Sequence, residues 1–259
     1  MKKITINVDD LGLSDAVNQA VLSLAHMGRI HATSFMSGGI IRNSEVLQLQ
    51  RLNIDIGLHL DLTGIAAQGT LKDIMRRSWL RLWDRAQLKR LIAQQFDLFE
   101  STIGQSPVFV DGHQHIHQFP VIRDILLEEL IRRYPINSVL VRNTKPLHND
   151  FKSRAIDLLG GQTLRLLCTE QGISQNTLFG GVYDFQANMP RLQAYWQQWL
   201  QQAPPQGTLL MCHPAIADAN WHDSIKTTRE LEWAWLSSDA FAQLWAEYQC
   251  SEQHWSEWA

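Results

Sequence analysis

Short apolar runs alternate with stretches of helical periodicity along almost the whole chain, and that alternation limits the architecture more than any other property of the sequence. Ile4 to Val8 is apolar and ends in two aspartates; Gly12 and the N-cap candidate Ser14 follow, and Val17, Val21, Leu24 and Ala25 then recur at helical spacing up to Gly28. The pattern repeats. Ala32 to Met36 reads as a strand, Glu45 to Leu52 as a helix, Ile54 to Leu62 as an alternating strand, Arg85 to Thr102 as an amphipathic helix, and Pro107 to Asp111 as the start of the next strand. Further on, Val121 to Arg133 and Met189 to Gln202 are helical, Ser138 to Arg142 and Gly207 to Cys212 are strands, and the last helix spans Ser238 to Gln249. The stretch from Leu147 to Asp184, broken by Gly160-Gly161 and Gly180-Gly181, resists assignment. Strands alternating with helices specify a largely parallel α/β sheet, open or closed into a barrel. With no Pro/Gly/Ser linker, the expectation is a single barrel-like domain over residues 1–259.

Composition enters where it bears on partners and compartment. Hydrophobic residues make up 45% and charged residues 19% of the chain, and the net charge is -3. The charges are mixed rather than blocked, so no nucleic-acid or membrane-surface partner is expected. No uninterrupted apolar segment reaches the length of about 18 residues that a membrane helix needs. The apolar run after the N-terminal lysines is interrupted by Asn7 and ends at Asp9, too short for a signal peptide. Cys168, Cys212 and Cys250 are odd in number and far apart, which argues against a disulfide framework and a cysteine-based zinc site. A reduced, cytoplasmic protein is the expectation.

In parallel α/β architectures the loops after the strands converge on one face, so polar residues at strand C-termini are the site builders. Four strand ends carry such residues: Asp9 and Asp10 on the first, His59 and Asp61 on the third, Asp111 with His113, His115 and His117 on the fourth, and His213 after the late strand. On an extended strand His113 and His115 would share a face about 6.6 Å apart, whereas His113 and His117 would stand about 13 Å apart, too far for one ion. One or two of these histidines, with His59 and an aspartate of the first strand, make a two-histidine, one-carboxylate set with open positions for water and substrate. Cys212 and His213 are adjacent on a strand and face opposite ways, so they cannot act as a nucleophile pair.

The motifs "NVDDLGLS", "GLHLDLTG", "DGHQHIH" and "MCHPA", in that order, resemble those of the YdjC-like carbohydrate deacetylase family, which includes chitooligosaccharide deacetylases and sugar deacetylases of hopanoid synthesis. The resemblance implies a distorted, incomplete (β/α) barrel related to that of polysaccharide deacetylases. It further implies one divalent metal ion, Mg2+ or Zn2+, held by Asp10, His59 and His113. Asp9 would be the general base, His213 the general acid, and Arg142 a rim arginine that orients a carboxylate or receives the acetyl oxygen. Asp111, His115 and His117 would shape the surroundings of the ion or the substrate pocket. His115, Asp61 and Trp221 are the substrate-binding candidates, Trp221 as one of several tryptophans able to stack on a pyranose face. Arg229-Glu230 matches a late family motif and is read here as an ion pair at a helix start. The stretch between "GLHLDLTG" and Asp111 is short and lacks the Gly/Pro-rich loop of many relatives.

The chemistry that follows is hydrolysis of an amide in an N-acetylated sugar or oligosaccharide, releasing acetate and an amino sugar. A base acting deprotonated and His213 acting as imidazolium would give a bell-shaped pH profile. Two other readings compete: another metal-dependent barrel hydrolase, such as a phosphoesterase or amidohydrolase, and a non-catalytic carbohydrate-binding relative. Phosphoesterases commonly gather two ions and an early H-x-H pair, whereas this chain begins with two aspartates; a mere binder would need neither base nor acid. Ten tryptophans, eight of them from Trp196 onward, serve the core or an oligomer interface and leave room for a homodimer.

Overall fold

The apolar runs become the strands of one parallel sheet. A computed structural model describes residues 1–186 and 188–258; Ala187 and Ala259, the latter the last residue of the expected domain, lie outside the described residues. In chain order the elements are β1 (Lys2–Leu11), α1 (Asp15–His26), β2 (Ala32–Phe35), α2 (Asn43–Arg51), β3 (Asp55–Leu60), α3 (Leu71–Trp79), α4 (Arg85–Ile103), β4 (Phe109–Gly112), α5 (Ile122–Arg133) and β5 (Leu140–Val141). They continue with α6 (Phe151–Ile156), α7 (Gln162–Glu170), β6 (Phe179–Gly180), α8 (Met189–Gln202), β7 (Thr208–Cys212), α9 (Lys226–Leu236), α10 (Asp239–Glu247) and β8 (Cys250–Glu252).

Strand order is β5-β4-β3-β2-β1-β7-β6, with β8 beside β1. Among the described residues the two ends of the curl are joined only by isolated parallel bridges, Val141 of β5 to Gln175 and Pro146 to Phe179 of β6, so the barrel is incomplete. β1 is long enough to serve three neighbours. β7 pairs Ile4 to Val8, β2 pairs Asn7 to Leu11, and β8 pairs Lys2 to Ile4 below β2 on the same flank.

Alternation sorts the side chains of each strand. Ile4, Ile6 and Val8 face outward and share a core with Val17 and Val21 of α1 and with Leu88 and Phe96 of α4. Inside the curl, Ala32, Phe109, Leu140, Phe179, Leu209 and Met211 pack with Trp255, whose ring stacks on Phe109 at 4.1 Å and 8° and fills the end opposite the strand C-termini. Gly57 lies where any Cβ would come within 2.4 Å of the Phe109 ring, so glycine is what lets that ring in.

Helix starts follow capping chemistry: Ser14 accepts the amide of Val17, Asp84 those of Ala86 and Gln87, and Asn188 that of Arg191. Residues 147–184 resolve into α6, a π-helical turn at Asp157–Gly161, α7 and β6. One expectation fails here. The histidine run does not extend β4; after Gly112 the chain turns into a 3-10 segment, His113–Gln118, with Gln114 and His115 in the left-handed region at φ 54 and 59. The separations of an extended strand therefore do not apply to His113, His115 and His117.

Candidate active site

The inward parity of the sheet places Asp9, His59, Asp111, Arg142 and His213 together above the apolar interior. β1 adds a second carboxylate by breaking the parity. Its register against β2 shifts between Val8 and Leu11, and Asp10 sits at φ 70 inside that bulge. A bulge re-aims a side chain, so two consecutive aspartates project into the same space. The left-handed backbone there costs about 1 to 3 kcal/mol, a strain that fits a site rather than a plain strand.

Asp10, His59 and His113 bring one ligand atom each within 4.8 Å of one another. His113 Nδ1 is 2.8 Å and His59 Nε2 3.3 Å from Asp10 Oδ1. The other nitrogen of His59, Nδ1–H, donates to Asp111 Oδ1 at 2.6 Å. A carboxylate behind a histidine is the arrangement that fixes the tautomer of a metal ligand and aims its free nitrogen. Two imidazoles and one carboxylate on one wall of an open cavity fit a divalent ion with free positions for water and substrate. Asp9, His59 and Asp111 form a second close group. Its two carboxylates already share one cation, for Arg142 donates through Nη1 and Nη2 to Asp9 at 2.7 Å each and lies 2.5 Å from Asp111 Oδ2.

Electrostatics divides these groups. Burial alone would raise both aspartates; Arg142 outweighs it at Asp9, and His113 with Arg229 outweighs it at Asp10, so both carboxyls are held well below the usual carboxylate range. Burial opposes the His59 cation, yet Asp111, Asp10 and Asp9 prevail and bring its pKa up to about 10, so a divalent ion would bind here by displacing the proton on Nε2. At His213 burial wins over Asp9 and Asp10 and pulls the pKa down to about 4. The imidazolium expected at this position is therefore a neutral ring, with Nε2 3.9 Å from Asp9 Oδ2.

The cavity above these residues has a volume of about 550 Å³. Asp9, Asp10, His59, His113, His115 and His213 line it, with apolar walls from Leu71 and Met75 of α3, Phe119, and Ile156 of α6. His115 meets the ring of Phe179 edge-on at 5.6 Å, and burial lowers its pKa to about 3. His117 is turned away and buried, with Nε2–H donating to the carbonyl of Arg142 at 3.0 Å.

Three candidates take up other positions. Arg142 is completely buried beneath Asp9 rather than on the rim, so it orients carboxylates and does not reach an acetyl oxygen. The Asp61 carboxylate accepts the amides of Thr63, Gly64 and Ala66 and shapes the loop after β3. Trp221 is half-buried, 5.7 Å from the Arg229 guanidinium, and does not line the cavity. Arg229 corrects the sequence reading: instead of pairing with Glu230, its Nη2 donates to Asp10 Oδ2 at 2.7 Å and lies 3.4 Å from Asp223. Glu232, one turn further along α9, was missed; its carboxylate accepts the amide of His213 and, at 2.5 Å, the hydroxyl of Tyr183. The spacing Arg229-x-x-Glu232 on one helix face was the available signal, hidden because nothing local ties α9 to β1 or β7.

Comparison with known proteins gives a consistent likeness. The family described as "YdjC-like protein" matches residues 3–247. The chain is 27% identical over 236 residues to a chitooligosaccharide deacetylase of Serratia marcescens, across 84% of this chain and 83% of that one. It is 28% identical over 233 residues to a chitooligosaccharide deacetylase of Yersinia pestis (strain Pestoides F), with the same coverage. Among solved structures, a candidate cellobiose-phosphate cleavage protein of Enterococcus faecalis V583 aligns with a TM-score of 0.70 at 17% identity, over 100% of this chain and 99% of that one. A Streptococcus mutans CE4 esterase aligns at 0.51 and 11% identity, over 97% and 85%. These two likenesses are of fold.

Proposed function

This chain belongs to the YdjC-like family, and from that premise we propose that it is a metal-dependent carbohydrate N-deacetylase, releasing acetate and an amino sugar from an N-acetylated sugar or oligosaccharide. One observation carries the reading: three metal-capable donors, an ionised aspartate and a neutral histidine from four separate segments converge on a single cavity. Asp10, His59 and His113 would hold one divalent ion, Mg2+ or Zn2+, the two imidazoles favouring zinc. When bound, such an ion polarises an amide carbonyl and lowers the pKa of a coordinated water.

The rest is work for the protein's own groups. Asp9 is ionised throughout the neutral range and fixed by Arg142, so it orients the attacking water and accepts its proton. The water oxygen bonds to the acetyl carbon, the carbon–nitrogen bond breaks, and the departing nitrogen needs a proton. His213 is neutral before reaction and 3.9 Å from Asp9, so it receives that proton from Asp9 and delivers it to the nitrogen. Because the proton comes from the water itself, no imidazolium has to exist in the resting enzyme. Asp111 and Arg142 position His59 and Asp9, Arg229 positions Asp10, and His115 contacts substrate from the cavity wall. The reading also takes residues 1–259 as one domain and includes a cytoplasmic location and a homodimer.

Acetate release from a panel of mono- and oligosaccharides bearing N-acetyl groups, each run with several divalent ions, tests the assignment. His113→Ala should abolish metal binding and turnover together. Full activity in a metal-free His113→Ala protein would refute the ligand set. No release from any sugar with metal bound would favour a binding protein, and two close ions per chain a phosphoesterase.

A further inference from the structure

His213 is held in an unusual way. Among the described residues its ring nitrogen Nδ1 has no hydrogen-bond partner, so no hydrogen bond at that nitrogen sets the ring's orientation. The turn that carries it is held instead from α9. Glu232 accepts the His213 amide, Arg229 Nη1 donates to the His213 carbonyl at 3.4 Å, and the Arg229 carbonyl accepts the amide of Ala215 at 3.1 Å. Glu232 is 1% exposed, and its second oxygen takes the hydroxyl of Tyr183 at 2.5 Å. The Tyr183 ring packs on Phe185 at 4.9 Å, and Phe185 meets the His213 ring edge-on at 5.2 Å and 88°. The contacts close a circuit: from the His213 amide through Glu232, Tyr183 and Phe185 back to the His213 imidazole.

We propose that Glu232 is a positioning residue for the deacetylase reaction, fixing the His213 ring from both sides through the amide of His213 and through Tyr183 and Phe185. This inference rests on the function proposed above. A buried carboxylate is a costly way to fill space, since an apolar side chain of similar volume packs there without desolvation. Two converging donors from separate segments give the carboxylate a purpose that leucine cannot serve. Burial pushes its pKa up to about 7, which is what an acid without a directly paired cation experiences. A ring that must carry a proton between Asp9 and a leaving nitrogen tolerates little displacement, and a misplacement near 1 Å costs on the order of 10²-fold in rate.

The test compares Glu232→Ala, Glu232→Gln and Tyr183→Phe in the full-length, metal-loaded protein, with acetate release from an N-acetylglucosamine oligosaccharide and metal content measured together. Glu232→Ala should lower kcat by on the order of 10 to 10²-fold with KM and metal content close to wild type. Glu232→Gln should recover most of that loss, because the amide oxygen still accepts from His213 and the amide nitrogen donates to Tyr183. Tyr183→Phe should lower kcat several-fold and leave KM alone. Wild-type kcat in Glu232→Ala overturns the inference, and so does an equal loss in the alanine and glutamine variants, which would make the charge itself the requirement. If Glu232→Ala does not fold, an unchanged kcat in Tyr183→Phe or a glutamine variant as poor as an inactive enzyme overturns it alone. A wild-type protein that releases no acetate overturns the underlying function instead.

Discussion

At the scale of single residues the site is a problem in buried charge. Asp9, Asp10, Asp111, Arg142 and Arg229 are each at most 2% exposed, and each charge finds an opposite one within hydrogen-bond reach. Arg142 is the central member because, of these five, it touches both Asp9 and Asp111. Removing one partner of a buried ion pair leaves an uncompensated charge and costs about 3 to 5 kcal/mol. Arg142→Met should therefore lower stability by about that amount in urea unfolding and abolish turnover; a variant as stable as wild type would show that Asp9 and Asp111 do not depend on it. The metal-capable residues were legible in the sequence because their types are scarce and sit where strands end. The consecutive aspartates were not fully legible, since strict alternation would send one of them outward. Only the bulge at Asp10 reconciles them, and no glycine marks it. Arg142 was visible as a residue but not as a buried one, because its partners stand 133 and 31 positions away in sequence.

At the scale of elements, long periodic segments were readable to within a few residues: α4 spans Arg85–Ile103 and α8 Met189–Gln202, as their spacing implied. Elements too short to show a period were not. β5 and β6 have two residues each, β8 has three, and α3 has only nine. The histidine turn misled for another reason: left-handed conformation at Gln114 and His115 is imposed by surroundings that local sequence does not reveal. Element junctions also carry an acid-sensitive group. His31, just before β2, is 4% exposed and its Nδ1 accepts the amide of Ile6 at 3.0 Å. Burial, with a smaller contribution from His254, lowers its pKa from 6.5 to about 3. The unfolded chain binds this proton below pH 6.5 and the folded chain does not until about pH 3, so stability is full above pH 6.5 and falls as pH drops toward 3. Each such proton contributes a slope of about 1.4 kcal/mol per pH unit inside that window. His31→Asn, which keeps an acceptor for Ile6 but cannot be protonated, should show a shallower loss of urea midpoint between pH 6.5 and 4.5 than wild type. Parallel curves would mean that His31 is not neutral in the fold.

At the scale of the whole molecule, the two ends of the curled sheet do different things. Ionised groups and the cavity occupy the end where strands finish, and an apolar plug closes the other. Trp255 is fully buried in that plug, with its amide donating to Asp55 Oδ2 at 2.7 Å and its ring on Phe109. Trp255→Ala should destabilise by about 3 to 5 kcal/mol, the usual cost of emptying a large core site, while metal content in the surviving folded fraction stays near one ion per chain. A loss below 1 kcal/mol in urea unfolding would mean that the plug is not part of the core. Alternation implied a parallel α/β sheet, open or closed into a barrel, and the family resemblance implied that the barrel is incomplete; the plug was legible in neither, because a strand of three residues and a single tryptophan leave no periodic trace. Its placement has a consequence for synthesis. The flank of β1 that β8 covers is made about 248 residues before its cover, a wait on the order of tens of seconds. From the synthesis of Phe109 until that of Trp255, 146 residues later, the Phe109 ring has no lid, so the nascent protein should lean on cellular holdases.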